Sequence, residues 1–241
     1  MTQDRTAVLE QIAAQVRSCT LCDLYKGRNK AVPGAGTFTP EILFIGEGPG
    51  FYEDKQGLPF VGRSGDFLEK MLALIGYTRD QVFITNVVKC RPPENRDPLP
   101  TEIVACKPYL DTQESTLDPL VIATLGRFSM ARYFPGGKIT QLHGKPKFEH
   151  NRAYMPLFHP AAVLRNPGLE PQMEAAFRSI PALLDKVRQM RAASPAANAV
   201  PSDGVPSDGA APGGDAVVTD PAPDELGAAQ DQDKPTQLTL F

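Results

Sequence analysis

With 241 residues, 41% of them hydrophobic and 12 of them Phe, the chain can bury a substantial core and fits a globular enzyme of one large or two small domains. No stretch approaches the roughly 20 apolar residues of a membrane span. The polar N-terminus also lacks an apolar signal core, so a cytoplasmic protein without a membrane partner is expected. The formal charge of -3 is unevenly spread: residues 194–241 hold eight acidic side chains and one Lys, which leaves 24 basic against 20 acidic residues in 1–193. A mildly basic body admits nucleic acid and many neutral partners alike.

The predicted elements begin with a helix over 6–18, where Val8, Leu9, Ile12, Ala13 and Val16 fall at the spacing of one buried stripe. Short apolar runs over 42–45, 82–85, 120–125 and 153–158, each bounded by Gly, Pro or Asn, predict buried strands. Helical patterns lie between and after them, over 65–75, 101–116, 127–134 and 170–192, with Pro181 a candidate kink in the last. Strand alternating with helix predicts an α/β fold, a mostly parallel sheet with helices on both faces and binding loops at the carboxyl ends of the strands. From Ser194 the composition turns to Ala, Pro, Gly and Asp, as in a disordered linker.

Four cysteines carry the first chemical signal. Cys19 and Cys22 form a C-x2-C pair at the end of the first helix, and Cys90 and Cys106 follow much later. In a reducing compartment such a set points to metal ligation or redox chemistry before disulfides. Four thiolates suit zinc or an iron-sulfur cluster, and the spacing does not choose between them. The alternative is four unconnected buried cysteines.

The second signal is Gly46-Glu47-Gly48-Pro49-Gly50, directly after the first strand. A dinucleotide cradle needs a third Gly where Phe51 stands, and no Gly-Lys-Ser/Thr follows. The glycines more readily bring backbone close to a flat ligand, with Glu47 projected into the site, although a loop Glu is commonly just solvated. The third signal is His159, at the end of the last strand and on the same edge as Glu47 and Asn86; His143 and His150 read as structural.

Together Cys19-x2-Cys22, Gly46 to Gly50 with Glu53-Asp54, Gly57-Leu58-Pro59-Phe60-Val61-Gly62, Thr85-Asn86-Val87-Val88-Lys89-Cys90 and His159-Pro160-Ala161-Ala162 resemble the family 4 uracil-DNA glycosylases, over roughly residues 5–190. The covalently trapping relatives carry an extra Lys-Arg-Arg-Ile-His loop, which does not occur between Cys90 and Cys106. The resemblance implies a three-layer α/β/α sandwich, a [4Fe-4S] cluster held by Cys19, Cys22, Cys90 and Cys106, and a monomer acting on uracil-containing DNA. It implies a uracil pocket built from Gly46, Glu47, Gly48, Glu53, Phe60, Asn86 and His159.

Within that pocket Asn86 would accept the imide N–H of uracil and donate to the neighbouring carbonyl, Phe60 would stack on the base, and Glu53 would crowd the methyl of thymine. His159 would donate to the negative charge developing on the base. Glu47 would orient or deprotonate the attacking water, or stabilise the cationic sugar. Leu164 and Arg165 stand where the superfamily inserts a wedge into the vacated stack, with ordinary core packing as the alternative for Leu164. Lys89, Arg91 and Arg96 would face phosphates.

Three segments are expected: a catalytic domain over 1–193, an acidic linker over 194–236 spanning about 35 Å as a flexible coil, and a peptide over 237–241. The peptide's Gln237, Leu238, Leu240 and Phe241 look like the Gln-Leu-x-Leu-Phe motif that docks on the bacterial sliding clamp; an accidental pattern in a biased tail is the alternative. A protein that binds uracil in DNA without cutting it, or a redox iron-sulfur protein, are the competing classes.

Overall fold

The computed structural model describes residues 2–193; the expected linker and the peptide at 237–241 lie outside the described residues. Six strands form one sheet: Ala35–Gly36 (β1), Ile42–Gly46 (β2), Phe83–Asn86 (β3), Val121–Leu125 (β4), Lys147–Glu149 (β5) and Arg152–Leu157 (β6). Their order is β1-β3-β2-β4-β6-β5. The four longest pair in parallel, and β1 and β5 add antiparallel edges. The mostly parallel sheet is therefore as expected. The two edges were not, because two or three residues are too few to show a period.

Alternation along the strands divides the core. Ile42, Phe44, Val82, Ile84, Val121, Ala123, Leu125, Met155 and Leu157 face one side; Leu43, Ile45, Phe83, Ile122 and Tyr154 face the other. The first side is covered by Arg63–Ala73 (α4), through Phe67, Leu68, Met71 and Leu72, and by Glu170–Ala193 (α9), whose Phe177 stacks on Phe44 at 5.8 Å. The second is covered by Thr2–Ser18 (α1), through Leu9, Ile12 and Val16, and by Pro100–Leu117 (α5), through Leu110 and Leu117. A sheet hydrophobic on both faces must bury both, which gives the α/β/α sandwich.

Shorter helices fill the connections: Leu24–Gly27 (α2), Phe51–Gln56 (α3), Arg127–Ala131 (α6), Ile139–Leu142 (α7) and Pro160–Arg165 (α8). Pro181 lies inside α9, which runs unbroken. Among the described residues no helix is long and apolar enough to cross a membrane.

Candidate active site

The parallel register sets the site. Gly46 at the end of β2 lies opposite Asn86 at the end of β3, and Leu125 of β4 lies opposite Leu157 of β6. The segments that follow, Gly46-Glu47, Asn86-Val87, Gly126 and His159, therefore emerge on one edge, on both sides of the point where the strand order reverses. The ladder continues briefly past β2, with Val87 N donating to Gly46 O (3.0 Å) and Val88 N to Glu47 O (3.1 Å). Above this edge is a cleft of about 720 Å³ lined by residues that include Glu47, Gly48, Glu53, Phe60, Arg127, His159 and Arg165.

Asn86 lies beneath that lining, 1% exposed, and both Oδ1 and Nδ2 lack a hydrogen-bond partner. Leaving a buried polar atom unpaired costs about 1–3 kcal/mol, so an amide with two such atoms is suited to a ligand that pairs with both. Its surroundings are tight. A Cβ on Gly46 would sit 2.3 Å from Asn86 Oδ1 and 2.7 Å from the Phe60 ring, and one on Gly48 would sit 2.7 Å from Val88 Cγ2. Both glycines are required by close approach.

Phe60 has φ 51°, outside the comfortable range for a side chain of its size. Its loop is clamped on both sides. Arg79 donates to Phe60 O at 2.6 Å and to Pro59 O, while the buried Glu53 carboxylate accepts from the N–H groups of Gly50, Phe60 and Val61. Burial raises the Glu53 carboxyl above its ordinary range against those donors. Glu53 thus lines the cleft and also holds the Phe60 platform.

His159 is the N-cap of α8. Its Nδ1 accepts from Ala161 N at 3.1 Å, so in the neutral ring the proton is on Nε2, a donor. Burial, with the Arg165 guanidinium, lowers its pKa to about 4. The ring stands 5.7 Å from that of Phe60, and Gly126, with φ +96°, leaves it room, since a Cβ there would come within 3.2 Å of His159 Cβ and 3.5 Å of its Cδ2. Glu47 is held above the carboxylate range by burial and by the nearby Asp97, against Arg127.

The cysteines converge. Cys19, Cys22, Cys90 and Cys106 line one small cavity with Val16, Leu24 and Tyr109. Each sulfur receives a donor: Cys19 from Leu21 N (3.5 Å), Cys22 from Leu24 N, Cys90 from Arg28 Nη1 (3.1 Å) and Cys106 from Lys89 N (3.2 Å). Burial nonetheless pushes the Cys22, Cys90 and Cys106 thiols up, Cys106 to about 11, so ligation there would have to release their protons. Among the described residues no group of three or more His, Cys, Asp or Glu is placed to hold a metal ion. Four thiol sulfurs lining one cavity are the donor type that an iron-sulfur cluster takes.

One expectation for the basic residues is corrected. Lys89 does not face phosphates: it is 1% exposed, with Nζ donating to Thr85 Oγ1 (2.6 Å), Asn86 O (2.8 Å) and Gln113 Oε1 (2.7 Å). Three acceptors and the apolar surroundings hold it inside. Arg96 is exposed at the cleft and pairs with the buried Glu102, at 2.6 and 3.0 Å. Arg91 remains at the surface, bonded to Asn95 Oδ1. Of the expected wedge pair, Arg165 is exposed at the cleft and Leu164 is half-buried, packed against the core. Sequence reasoning missed Arg79, Arg28 and Gly126; only Gly126, a glycine directly after a strand, carried a signal.

Fold and site together define an α/β/α protein that offers an unpaired amide and a neutral imidazole to a flat polar ligand, beside a four-thiol site. Residues 33–181 match the uracil DNA glycosylase superfamily. Similar proteins include the type-4 uracil-DNA glycosylases of Sulfurisphaera tokodaii, 47% identical over 71% of this chain and 83% of the relative, and of Archaeoglobus fulgidus, 42% identical over 74% of this chain and 94% of the relative. The enzyme of that type from Thermotoga maritima is 42% identical over 67% and 86%. The chain belongs to the uracil DNA glycosylase superfamily, alongside its type-4 members.

Proposed function

We propose that the protein is a uracil-DNA glycosylase, a hydrolase of N-glycosyl bonds that accepts a uracil flipped from single- or double-stranded DNA and leaves an abasic site for base excision repair. The observation that carries this reading is the buried Asn86 amide, unpaired at both atoms and adjoining Phe60. Its Oδ1 can accept the imide N–H of uracil while Nδ2 donates to the adjacent carbonyl. Cytosine reverses both groups, and sites built on such pairing discriminate by about 10⁴ or more. As the glycosidic bond breaks, the base takes up negative charge and the sugar becomes cationic. His159 Nε2–H donates to the base; ionised Glu47 stabilises the sugar or takes the proton of the attacking water.

Incubation with uracil-containing oligonucleotides followed by hot alkali tests this. Cleavage at uracil is expected in both strand forms. Intact strands with uracil-dependent binding retained would favour a non-cleaving uracil sensor.

Cys19, Cys22, Cys90 and Cys106 would hold a [4Fe-4S] cluster, whose contribution is to tie the end of α1 to β3 and α5. The purified protein is expected to be brown, with about four irons per chain, and Cys90→Ser to lose iron and melt at lower temperature. A colourless protein purified without oxygen and containing zinc would refute the cluster.

The peptide at 237–241 would tether the enzyme to a bacterial sliding clamp, raising its local concentration on DNA without a new catalytic contact. Deleting Gln237 to Phe241 should leave activity on short oligonucleotides unchanged and abolish clamp binding by surface plasmon resonance. Equal clamp affinity for both proteins would discard the tether.

A further inference from the structure

Two aromatic side chains at the rim of the cleft are unexplained by the base pocket. Phe51 and Tyr52, in the first turn of α3, line the cleft yet are 43% and 60% exposed. Large apolar rings left in water beside a binding cleft suggest a ligand that covers them. Tyr52 is the better placed. Its ring rests on Gly62, where a Cβ would come within 3.4 Å of Cδ2. Phe51 meets it edge-on, at 5.3 Å and 81°, an arrangement that braces the Tyr52 ring.

Cations complete the arrangement. Lys55 Nζ lies 4.3 Å and the Arg91 guanidinium 5.2 Å from the centre of the Phe51 ring. Arg91 bonds only to the neutral Asn95 side chain, and neither cation forms an ion pair with a carboxylate among the described residues. The cations thus lie on Phe51, the ring that meets Tyr52 edge-on; an exposed ring with positive charge close by is the combination that holds a nucleotide of single-stranded DNA, base on ring and phosphate near cation.

We propose that Tyr52, braced by Phe51, is a second stacking subsite that holds the nucleobase next to the flipped uracil on the same strand, with Lys55 and Arg91 attracting its phosphate. The inference rests on the uracil-DNA glycosylase reading. The occupant is a neighbouring nucleobase because the ring is continuous with the cleft that would take the uracil, and the adjoining charge suits a polyanion. Stacking on a bare ring is tolerant of sequence, since every base has a π-face, so the subsite would grip the strand without reading it.

The test uses the full chain and single-stranded oligonucleotides in which the residue on the 5′ or the 3′ side of uracil is either a normal nucleotide or a stable abasic analogue. Tyr52→Leu removes the ring at a surface position, and Tyr52→Phe restores it. On intact strands Tyr52→Leu should lower kcat/KM about 5- to 150-fold, the range given by loss of one base–aromatic stack, while Tyr52→Phe stays near wild type. An abasic neighbour on one side should cost the wild type a similar factor and cost Tyr52→Leu little, and the side that does so identifies the stacked base. Wild-type cleavage of intact strands with equal kcat/KM for Tyr52→Leu, or an abasic penalty equal in both proteins, would overturn the subsite and leave the glycosylase reading standing. No cleavage by the wild type on any strand would instead overturn that reading, and the subsite with it.

Discussion

His159→Ala is expected to lower kcat by about 10²–10³, the usual cost of removing one donor to a developing anion, with a much smaller change in substrate binding. The geometry gives the reason. With Nδ1 committed to Ala161 N and the ring pKa lowered to about 4, first by burial and then by Arg165, the imidazole is neutral through the physiological range and presents Nε2–H. His159 itself should therefore add no inflection to the rate profile between pH 5 and 8. An acid limb should instead reflect Glu47, whose carboxyl is raised by burial and by Asp97: the rate falls as pH drops through that raised value and the carboxylate is protonated.

The histidine is also a helix cap, and losing a cap costs about 0.5–2 kcal/mol of stability. His159→Asn separates the two roles. Asn can still cap α8 but has no Nε2, so it should melt near wild type and share the rate loss. Parental rates for His159→Ala, with substrate binding collapsed, would show that the residue binds and does not activate the leaving group.

Asn86→Asp is expected to remove the preference for uracil and make cytosine a better substrate. The side chains are nearly the same size, so the contacts with Gly46 and Phe60 can persist. In a dry position burial favours the neutral carboxyl, and the protonated carboxyl of this variant donates where cytosine accepts. Its carbonyl oxygen meanwhile accepts from the cytosine amine. Discrimination of about 10⁴ in the wild type should fall toward parity, measured as kcat/KM on matched uracil and cytosine oligonucleotides. An undiminished preference for uracil would show that another group reads the base.

Period-two alternation made the site's edge legible in the sequence. Asn86 continues the inward series of Val82 and Ile84, and Gly46 that of Ile42 and Phe44, so the ends of adjacent strands could be expected to meet. Convergence of the four cysteines on one cavity was implied by the family resemblance that the C-x2-C pair and Thr85 to Cys90 carry. The Gly50-capped α3 was hidden by its glycine-rich approach, and the positive φ of Phe60 follows from clamping by Arg79 and Glu53, groups 19 and 7 positions away along the chain. Lys89 was misplaced because charge ordinarily marks a surface. Here Thr85, Gln113 and the Asn86 carbonyl accept all three ammonium protons, a tertiary arrangement that local sequence does not record.

The most direct test of base recognition by the Asn86 site is a crystal structure of the protein with free uracil. The expected result is uracil against Phe60, its imide N–H donating to Asn86 Oδ1, its adjacent carbonyl accepting from Nδ2, and its remaining carbonyl within hydrogen-bond distance of His159 Nε2. Uracil bound elsewhere, with Asn86 still unpaired, would contradict it.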